Sequence, residues 1–238
     1  MSAFLDSGDS PIAALATAAG PAGVCVVRLS GHGALTIADR LVPHAVRKPS
    51  EREGGTFFHA RIVHPATGEV IDDAVVLVFR GPNSFTGEDV VEIQGHGGST
   101  PARRLLDATV AAGARVAEAG EFSKRAFLNG RMDLTQAEAL CEFIHSKTER
   151  AASVARAQLD GALGTRVVRN YEALTLVCAD VEHLLDFEEG ELPDTFAAEC
   201  LQRVGLVRAD LTALVESWRE GHLLRDGALV VISGKPNA

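Results

Sequence analysis

Two charged side chains interrupt short apolar segments, a pattern that could hold a polar ligand. Arg28 lies near the end of the apolar run at residues 24–29 (VCVVRL), and Glu92 lies between Val91 and Ile93. A guanidinium can bind a carboxylate through two parallel hydrogen bonds, and a carboxylate can accept two adjacent N–H donors. Each residue also fits an ordinary solvent-facing position, which is the commoner case for a charged side chain on a strand.

Residues 81–98 (GPNSFTGEDVVEIQGHGG) combine five glycines, one proline and three carboxylates around a short apolar segment. Because glycine tolerates positive φ and allows close approach of the backbone, such a segment can surround a ligand. A long loop followed by a turn would have the same composition, and the composition favours neither interpretation. His96 has no partner at a metal-ligand spacing, so we interpret it as a turn residue and predict no metal site.

Basic and aromatic side chains also lie together in residues 120–132 (GEFSKRAFLNGRM). The segment carries Lys124, Arg125, Arg131, Phe122 and Phe127. Such side chains could stack on a ligand and neutralise it, but an amphipathic junction between two domains has the same pattern. From the residues alone we favour the junction. The acidic residues 186–194 (DFEEGELPD) match no calcium-loop spacing and are interpreted as a solvated loop.

The last residues match the first half of a phosphate-binding loop. Residues 230–238 (VVISGKPNA) predict a buried strand followed by a glycine turn, as in the strand–G-x-x-x-x-G-K-[ST] motif. Gly234 would be its first glycine, with Asn237 and Ala238 among the four residues that follow. Lys235 falls at a variable position. The 238 residues hold neither the phosphate lysine nor the hydroxyl residue, so we expect no GTP hydrolysis from them.

Two periodicities divide the chain into domains. Before residue 120, strand and turn patterns predict an α+β domain with a mixed sheet. The predicted strands are residues 24–29, 56–63, 70–79, 90–94 and 114–118, and the predicted helices are residues 34–41 and 101–112. Residues 121–225 predict an all-α helical bundle, and residues 226–238 the start of an α/β domain, with its first strand at 228–232.

The helical prediction rests on a cap and on apolar spacing. Thr135 and Glu138 predict a capping box. Three apolar stripes at spacings of three and four residues predict packed antiparallel helices. They are Ala137, Leu140, Cys141 and Ile144; Val168, Tyr171, Leu174, Cys178, Val181 and Leu185; and Leu201, Val204, Leu211 and Leu214.

Composition limits the class of protein. Hydrophobic residues make up 46% and charged residues 23%, the balance of a soluble globular protein, and no apolar run reaches the length of a membrane span. The formal charge of −9 excludes a general nucleic-acid coat, since phosphate binding needs a positive surface. The N-terminal residues lack a secretory pattern. Four scattered cysteines predict reduced core residues of a cytoplasmic protein; they are Cys25, Cys141, Cys178 and Cys200.

Four stretches, in this order, resemble the tRNA modification GTPase family (MnmE/TrmE type) over essentially the whole chain. They are residues 16–31, 81–98, 120–140 and 227–238. The resemblance implies a folate-binding, dimerising domain over residues 1–120, similar to tetrahydrofolate-binding domains, and then the first part of a helical domain. A Ras-like GTPase domain would be inserted into that helical domain. Residues 226–238 would be the start of this GTPase domain, truncated inside its phosphate loop.

The same resemblance implies a reduced-folate site formed by Arg28, Glu92 and Arg131. Glu92 would accept the adjacent N–H and amino group of a pterin ring. Three positions depart from the family pattern: Pro21 replaces a usual arginine, His145 a usual aspartate, and Arg131 a usual lysine. Arginine at position 131 keeps the positive charge of the usual lysine but carries it on a planar guanidinium. The resemblance places no catalytic residue within this chain.

The resemblance also implies an activity for the full-length parent. With an FAD-dependent partner protein (MnmG/GidA type), it would add a carboxymethylaminomethyl-type group to the wobble uridine, U34, of certain tRNAs. Reduced folate (5-formyl- or methylene-tetrahydrofolate) would be the one-carbon donor. GTP, Mg²⁺ and K⁺ are expected only in the parent, a homodimer through its N-terminal domain with tRNA bound by the assembled complex. Two alternatives remain: a stand-alone folate-dependent aminomethyltransferase-like enzyme, and a dimerisation module without ligand.

Overall fold

The chain forms two compact units, Met1–Met132 and Asp133–Ala238. A computed structural model describes residues 10–184, 195–226, 231 and 233–234. The first unit is a mixed sheet with helices and the second is helical, as the sequence predicts. The first unit extends past the predicted junction at residue 120, because the helix that follows this residue packs with it.

The first unit is built on one six-stranded sheet in the order β3-β4-β5-β2-β1-β6. Its strands are β1 (Ile12–Leu15), β2 (Val24–Ser30), β3 (Thr56–Val63), β4 (Val70–Phe79), β5 (Val90–His96) and β6 (Arg115–Val116). All neighbouring strands are antiparallel except β1 and β6, which are parallel. β2 and β5 therefore lie side by side at the centre, although 59 residues separate their nearest ends in the sequence.

Three helices belong to this unit: α1 (Ala34–Leu41), α2 (Ser99–Ala111) and α3 (Glu121–Leu128); a short 3-10 helix covers Pro49–Glu51. α1 and α2 pack on one face of the sheet, and their apolar residues join those of β2, β4 and β5 in the main core. Because successive strand residues point to opposite faces, Val27 and Leu29 enter this core while Arg28 points to the other face.

The predicted strands of this unit are confirmed, with shifts at their ends. β5 continues to His96, and α2 begins at Ser99 rather than at residue 101. β6 is only two residues long, shorter than the predicted 114–118. β1 was not predicted, because its sequence IAAL is short and half alanine, which gives little strand signal.

The second unit contains α4 (Leu134–His145), α5 (Glu149–Leu159), α6 (Ala162–Leu184) and α7 (Phe196–Asp226). The capping box of α4 lies two residues before the predicted one. Asp133 accepts a hydrogen bond from the backbone N–H of Gln136 (2.8 Å), and the Gln136 side chain accepts one from the backbone N–H of Asp133 (2.8 Å). Thr135 lies inside the first turn and donates to Asp133, so aspartate replaces threonine as the cap.

The predicted apolar stripes of α6 and α7 are mostly exposed within the described residues. Tyr171 is 70% and Leu201 72% exposed, whereas Val177 and Val207 are buried. Beside them is a polar contact: Asp210 of α7 accepts hydrogen bonds from Arg166 (2.6 Å) and Asn170 (2.7 Å) of α6. Tyr171 and Leu201 of the predicted stripes are therefore exposed, although α6 and α7 do contact each other. Leu185 lies outside the described residues.

The prediction that the cysteines lie in the core is only partly confirmed. Cys25 is buried as predicted, but Cys141 and Cys178 are exposed, so the core prediction was wrong for these two.

Val231 and Gly234 have no regular secondary structure; Asn237, Ala238, the acidic loop and most of the predicted strand at 228–232 lie outside the described residues. Among the helices of the described part, none combines the length and the hydrophobicity needed to cross a membrane.

Candidate functional site

The register of β2 and β5 places Arg28 directly opposite Glu92. Arg28 Nε lies 2.8 Å and Nη2 2.7 Å from the same atom, Glu92 Oε1. In the part of the chain that the structure describes, no donor lies within hydrogen-bonding distance of Oε2. The side chains are 27% and 16% exposed, so the pair is sheltered but open on one side. The two residues singled out from the sequence therefore meet, and one carboxylate oxygen stays available.

Two aromatic rings hold the Arg28 guanidinium. Its Cζ atom lies 5.2 Å from the ring centre of Phe85 and 5.7 Å from that of Phe122. Phe85 belongs to the loop between β4 and β5, and Phe122 to the first turn of α3. A guanidinium within about 6 Å of an aromatic ring centre is attracted by its π electrons. The two rings and the carboxylate of Glu92 together fix the orientation of Arg28.

An apolar strip runs beside the Arg28–Glu92 pair across the open face of the sheet. The strand registers align Leu77 with Glu92, and Phe57 with Leu77. Leu77 is partly buried and Phe57 is 73% exposed. A flat heterocycle needs apolar contact on its face and hydrogen bonds at its edge, which this strip and the Glu92 carboxylate could supply.

Arg131, the third predicted residue, lies beside the Phe85 loop. Gly87 has φ +80°, and a Cβ atom there would lie 3.1 Å from Arg131 Cγ and 3.2 Å from Asn129 Cβ. Asn129 Nδ2 also donates to the backbone carbonyl of Thr86 (2.8 Å). The residues after α3 therefore pack against this loop. Within the described residues no contact joins the exposed guanidinium of Arg131 to Arg28 or Glu92.

Behind the site lies a set of four charged residues, which we call the ion cluster: Arg115, Arg125, Glu88 and Glu121, of which Arg125 and Glu121 are buried. Arg125 Nη1 lies 3.2 Å from Glu88 Oε1, and its Nη2 lies 3.2 Å from Glu121 Oε1. Arg115 contacts Glu121 through both of its Nη atoms. Hydrogen bonds from Arg115 are the largest of the effects that lower the pKa of Glu121 to about 2. No buried side-chain nitrogen or oxygen in the described part of the chain lacks a partner.

Sequence reasoning missed most of this cluster. It placed Arg125 in a junction and did not separate Glu88 from the other carboxylates of residues 81–98. Two of the partners of Arg125 lie far from it in the sequence, Glu88 at 37 residues and Ser10 at 115. One signal could have indicated the cluster. Residues 81–98 are acidic and residues 120–132 are mostly basic, so side chains of the two segments could pair.

His96 lies at the end of β5, away from this pair. Its Nδ1 atom is 2.7 Å from Asp72 Oδ1, and its backbone N–H donates to Asp72 Oδ2 (2.6 Å). The hydrogen bond with Asp72 is the main cause that raises the pKa of His96 above its ordinary value. Among the described residues, no group of three His, Cys, Asp or Glu side chains could hold a metal ion.

Comparisons with known proteins cover both units. The family model described as the GTP-binding protein TrmE N-terminus matches residues 11–131, and the MnmE helical domain matches residues 134–229. A tRNA modification GTPase MnmE from Symbiobacterium thermophilum is 44% identical over 235 residues, 97% of this chain and 50% of the relative. Another, from Chlorobium luteolum, is 42% identical over 238 residues, 100% of this chain and 50% of the relative.

A third relative with the same name, from Alkaliphilus oremlandii, is 40% identical over 230 residues, 96% of this chain and 50% of the relative. The chain thus spans about half the length of the relatives it matches. The two family models match the two units in the order in which the structure has them. The chain belongs to the tRNA modification GTPase MnmE family.

Proposed function

We propose that this chain is the folate-binding and dimerising part of a tRNA-modifying GTPase, with reduced folate held by Arg28, Glu92 and Arg131. The observation that supports this most is the hydrogen bonding of the Glu92 carboxylate. One of its carboxylate oxygens is held by Arg28 and the other is open, beside the apolar strip of Leu77 and Phe57. This arrangement suits an aromatic heterocycle that presents hydrogen-bond donors at its edge.

Each residue has a distinct part in this proposal. Glu92 accepts hydrogen bonds from the N–H and amino group of the pterin ring, and Arg28 orients the Glu92 carboxylate. Arg131, which is exposed beside the loop, attracts the anionic carboxylates of the folate tail. When bound, 5-formyl- or methylene-tetrahydrofolate supplies the one-carbon group. The similarity to tetrahydrofolate-binding domains is part of the same proposal.

For the full-length protein we infer the activity in the relatives' name, tRNA modification with GTP hydrolysis. The protein would act with an FAD-dependent partner (MnmG/GidA type) on the wobble uridine, U34, in the cytoplasm, with GTP, Mg²⁺ and K⁺. It would be a homodimer through its first unit. Sedimentation equilibrium tests the dimer directly, and a strict monomer at high concentration would contradict it.

Calorimetric titration with 5-formyltetrahydrofolate tests the site. Glu92→Gln removes the carboxylate charge at constant shape, and should weaken binding roughly 10- to 150-fold, as expected for lost charge-assisted hydrogen bonds. The matched control is Asp73→Asn, because Asp73 also pairs with an arginine across a strand, Arg61 (3.6 Å). It should change the affinity less than about twofold. Equal affinities for the wild type and Glu92→Gln would refute the assignment.

A further inference from the structure

Arg125 joins three separate parts of the first unit. Its Nη1 atom contacts the carboxylate of Glu88 in the loop between β4 and β5. Its Nη2 atom donates to the backbone carbonyl of Ser10 (2.8 Å), just before β1, and to Glu121 of its own helix (3.2 Å). The side chain is only 6% exposed. These contacts place a structural cation between the loop, the start of the sheet and α3.

The loop is also bonded to β2 through the same carboxylate. Glu88 Oε2 accepts a hydrogen bond from Ser30 Oγ (2.7 Å), and Ser30 Oγ lies 2.7 Å from Thr86 Oγ1. Ser30 and Thr86 are fully buried. Ser30 is two residues after Arg28 on the same strand, and Phe85 directly precedes Thr86. The hydrogen bonds therefore fix the loop that carries Phe85 relative to the strand that carries Arg28.

Arg125 connects α3, which carries Phe122, to the loop that carries Phe85. Phe122 is three residues before it on the same helix, so the two side chains lie on neighbouring positions of one helical face. The two rings that flank Arg28 thus come from two elements, the loop and α3. Arg125 contacts both elements through its planar guanidinium. A lysine ammonium has one nitrogen and cannot reach Glu88, Glu121 and the carbonyl of Ser10 with the same geometry.

We propose that Arg125 is a positioning residue for the folate site: by binding Glu88 and Glu121 it holds Phe85 and Phe122 against Arg28. Arg28 in turn orients Glu92. This inference rests on the proposed function for its ligand, but the ring positions can be measured without any ligand. It assigns Arg125 and Glu88 a role in binding, in addition to their contribution to stability.

The binding test compares two Arg→Lys variants of the complete 238-residue chain. Arg125→Lys should weaken binding of 5-formyltetrahydrofolate about tenfold, the loss expected for one charge-assisted hydrogen bond. Arg115→Lys is the matched control, because Arg115 contacts Glu121, whereas Arg125 contacts both Glu121 and Glu88. It should change the affinity less than about twofold. Equal losses in both variants, or no loss in Arg125→Lys, would overturn the proposal.

Fluorine NMR supplies a readout that needs no folate. With 4-fluorophenylalanine at position 85, Arg125→Lys should shift the resonance, and Arg115→Lys should leave it in place. Glu88→Gln breaks the same link from the loop side, and should shift this resonance even if Arg125→Lys does not fold. An unmoved resonance in a folded Arg125→Lys or Glu88→Gln protein overturns the positioning role. Absence of folate binding by the wild type, with the resonance shifted, overturns only the proposed ligand.

Discussion

The ionisation of Glu121 should control the acid stability of the first unit. Its side chain is 8% exposed and is bonded to Arg115, Arg125 and the backbone N–H of Glu118. These contacts, those with Arg115 first, lower its pKa from 4.5 to about 2. At about 1.4 kcal/mol per pKa unit, this corresponds to a contribution of about 3 kcal/mol to the free energy of unfolding.

The sign follows from proton binding. Between pH 4.5 and about pH 2, the unfolded chain binds a proton at Glu121 and the folded chain does not, so acid favours unfolding. The contribution is therefore fully present above pH 4.5 and is lost as the pH falls to about 2. Glu121→Gln removes it at every pH. The unfolding free energies of wild type and variant should differ by about 3 kcal/mol at pH 6 and converge near pH 2.

Urea titration followed by methyl NMR measures this difference unit by unit. The methyl groups of Val91 and Ile93 report on the first unit, which is necessary because the single Trp and Tyr residues both lie after residue 132. Glu118→Gln is the matched control, since the Glu118 side chain is exposed. A difference that stays constant from pH 6 to pH 2.5, or one below about 0.5 kcal/mol at pH 6, would refute the reasoning.

Two further predictions concern the end of β5. Gly97→Ala should destabilise the first unit by about 1–3 kcal/mol in urea titration, because its Cβ would lie 2.1 Å from the backbone oxygen of Ala22. Gly23→Ala, where nothing lies within 4 Å, should cost far less, and similar losses would contradict this reading of the contact. Asp72→Asn should lower the pKa of His96 toward its ordinary value of 6.5 in an NMR titration. An unchanged pKa would show that Asp72 does not cause the shift.

The sheet was predictable from the sequence where its strands are half-buried. Residues such as Val27 and Leu29 alternate with Arg28, and a period of two indicates a strand with one buried face. β1 escaped prediction because alanine carries little strand preference, and its place in the sheet comes from pairing with β2 and β6. Local pattern therefore indicated the strands but not the order in which they pair.

The site was predictable only in part, for the same reason. Arg28 and Glu92 stood out as charges in apolar segments, and the resemblance named them together. Their contact depends on a register between strands distant in the sequence, and Arg125 depends on partners in two other segments. Several residues of the helical stripes are exposed. Spacing indicates which residues share a face. It does not indicate whether another element covers that face.

The bond between Arg125 and the carbonyl of Ser10 has a consequence for biosynthesis. These residues are 115 positions apart in the sequence. At a synthesis rate of about 5–20 residues per second, roughly 6–23 seconds pass between the two leaving the ribosome's catalytic centre. Glu88 is made 37 residues before Arg125, after Ser30 and Thr86, so for the last part of that interval its carboxylate exists without this cation. The links from Arg125 to Glu88 and to Ser10 can therefore form only after α3 has been made, so they join a sheet whose central strands were synthesised earlier.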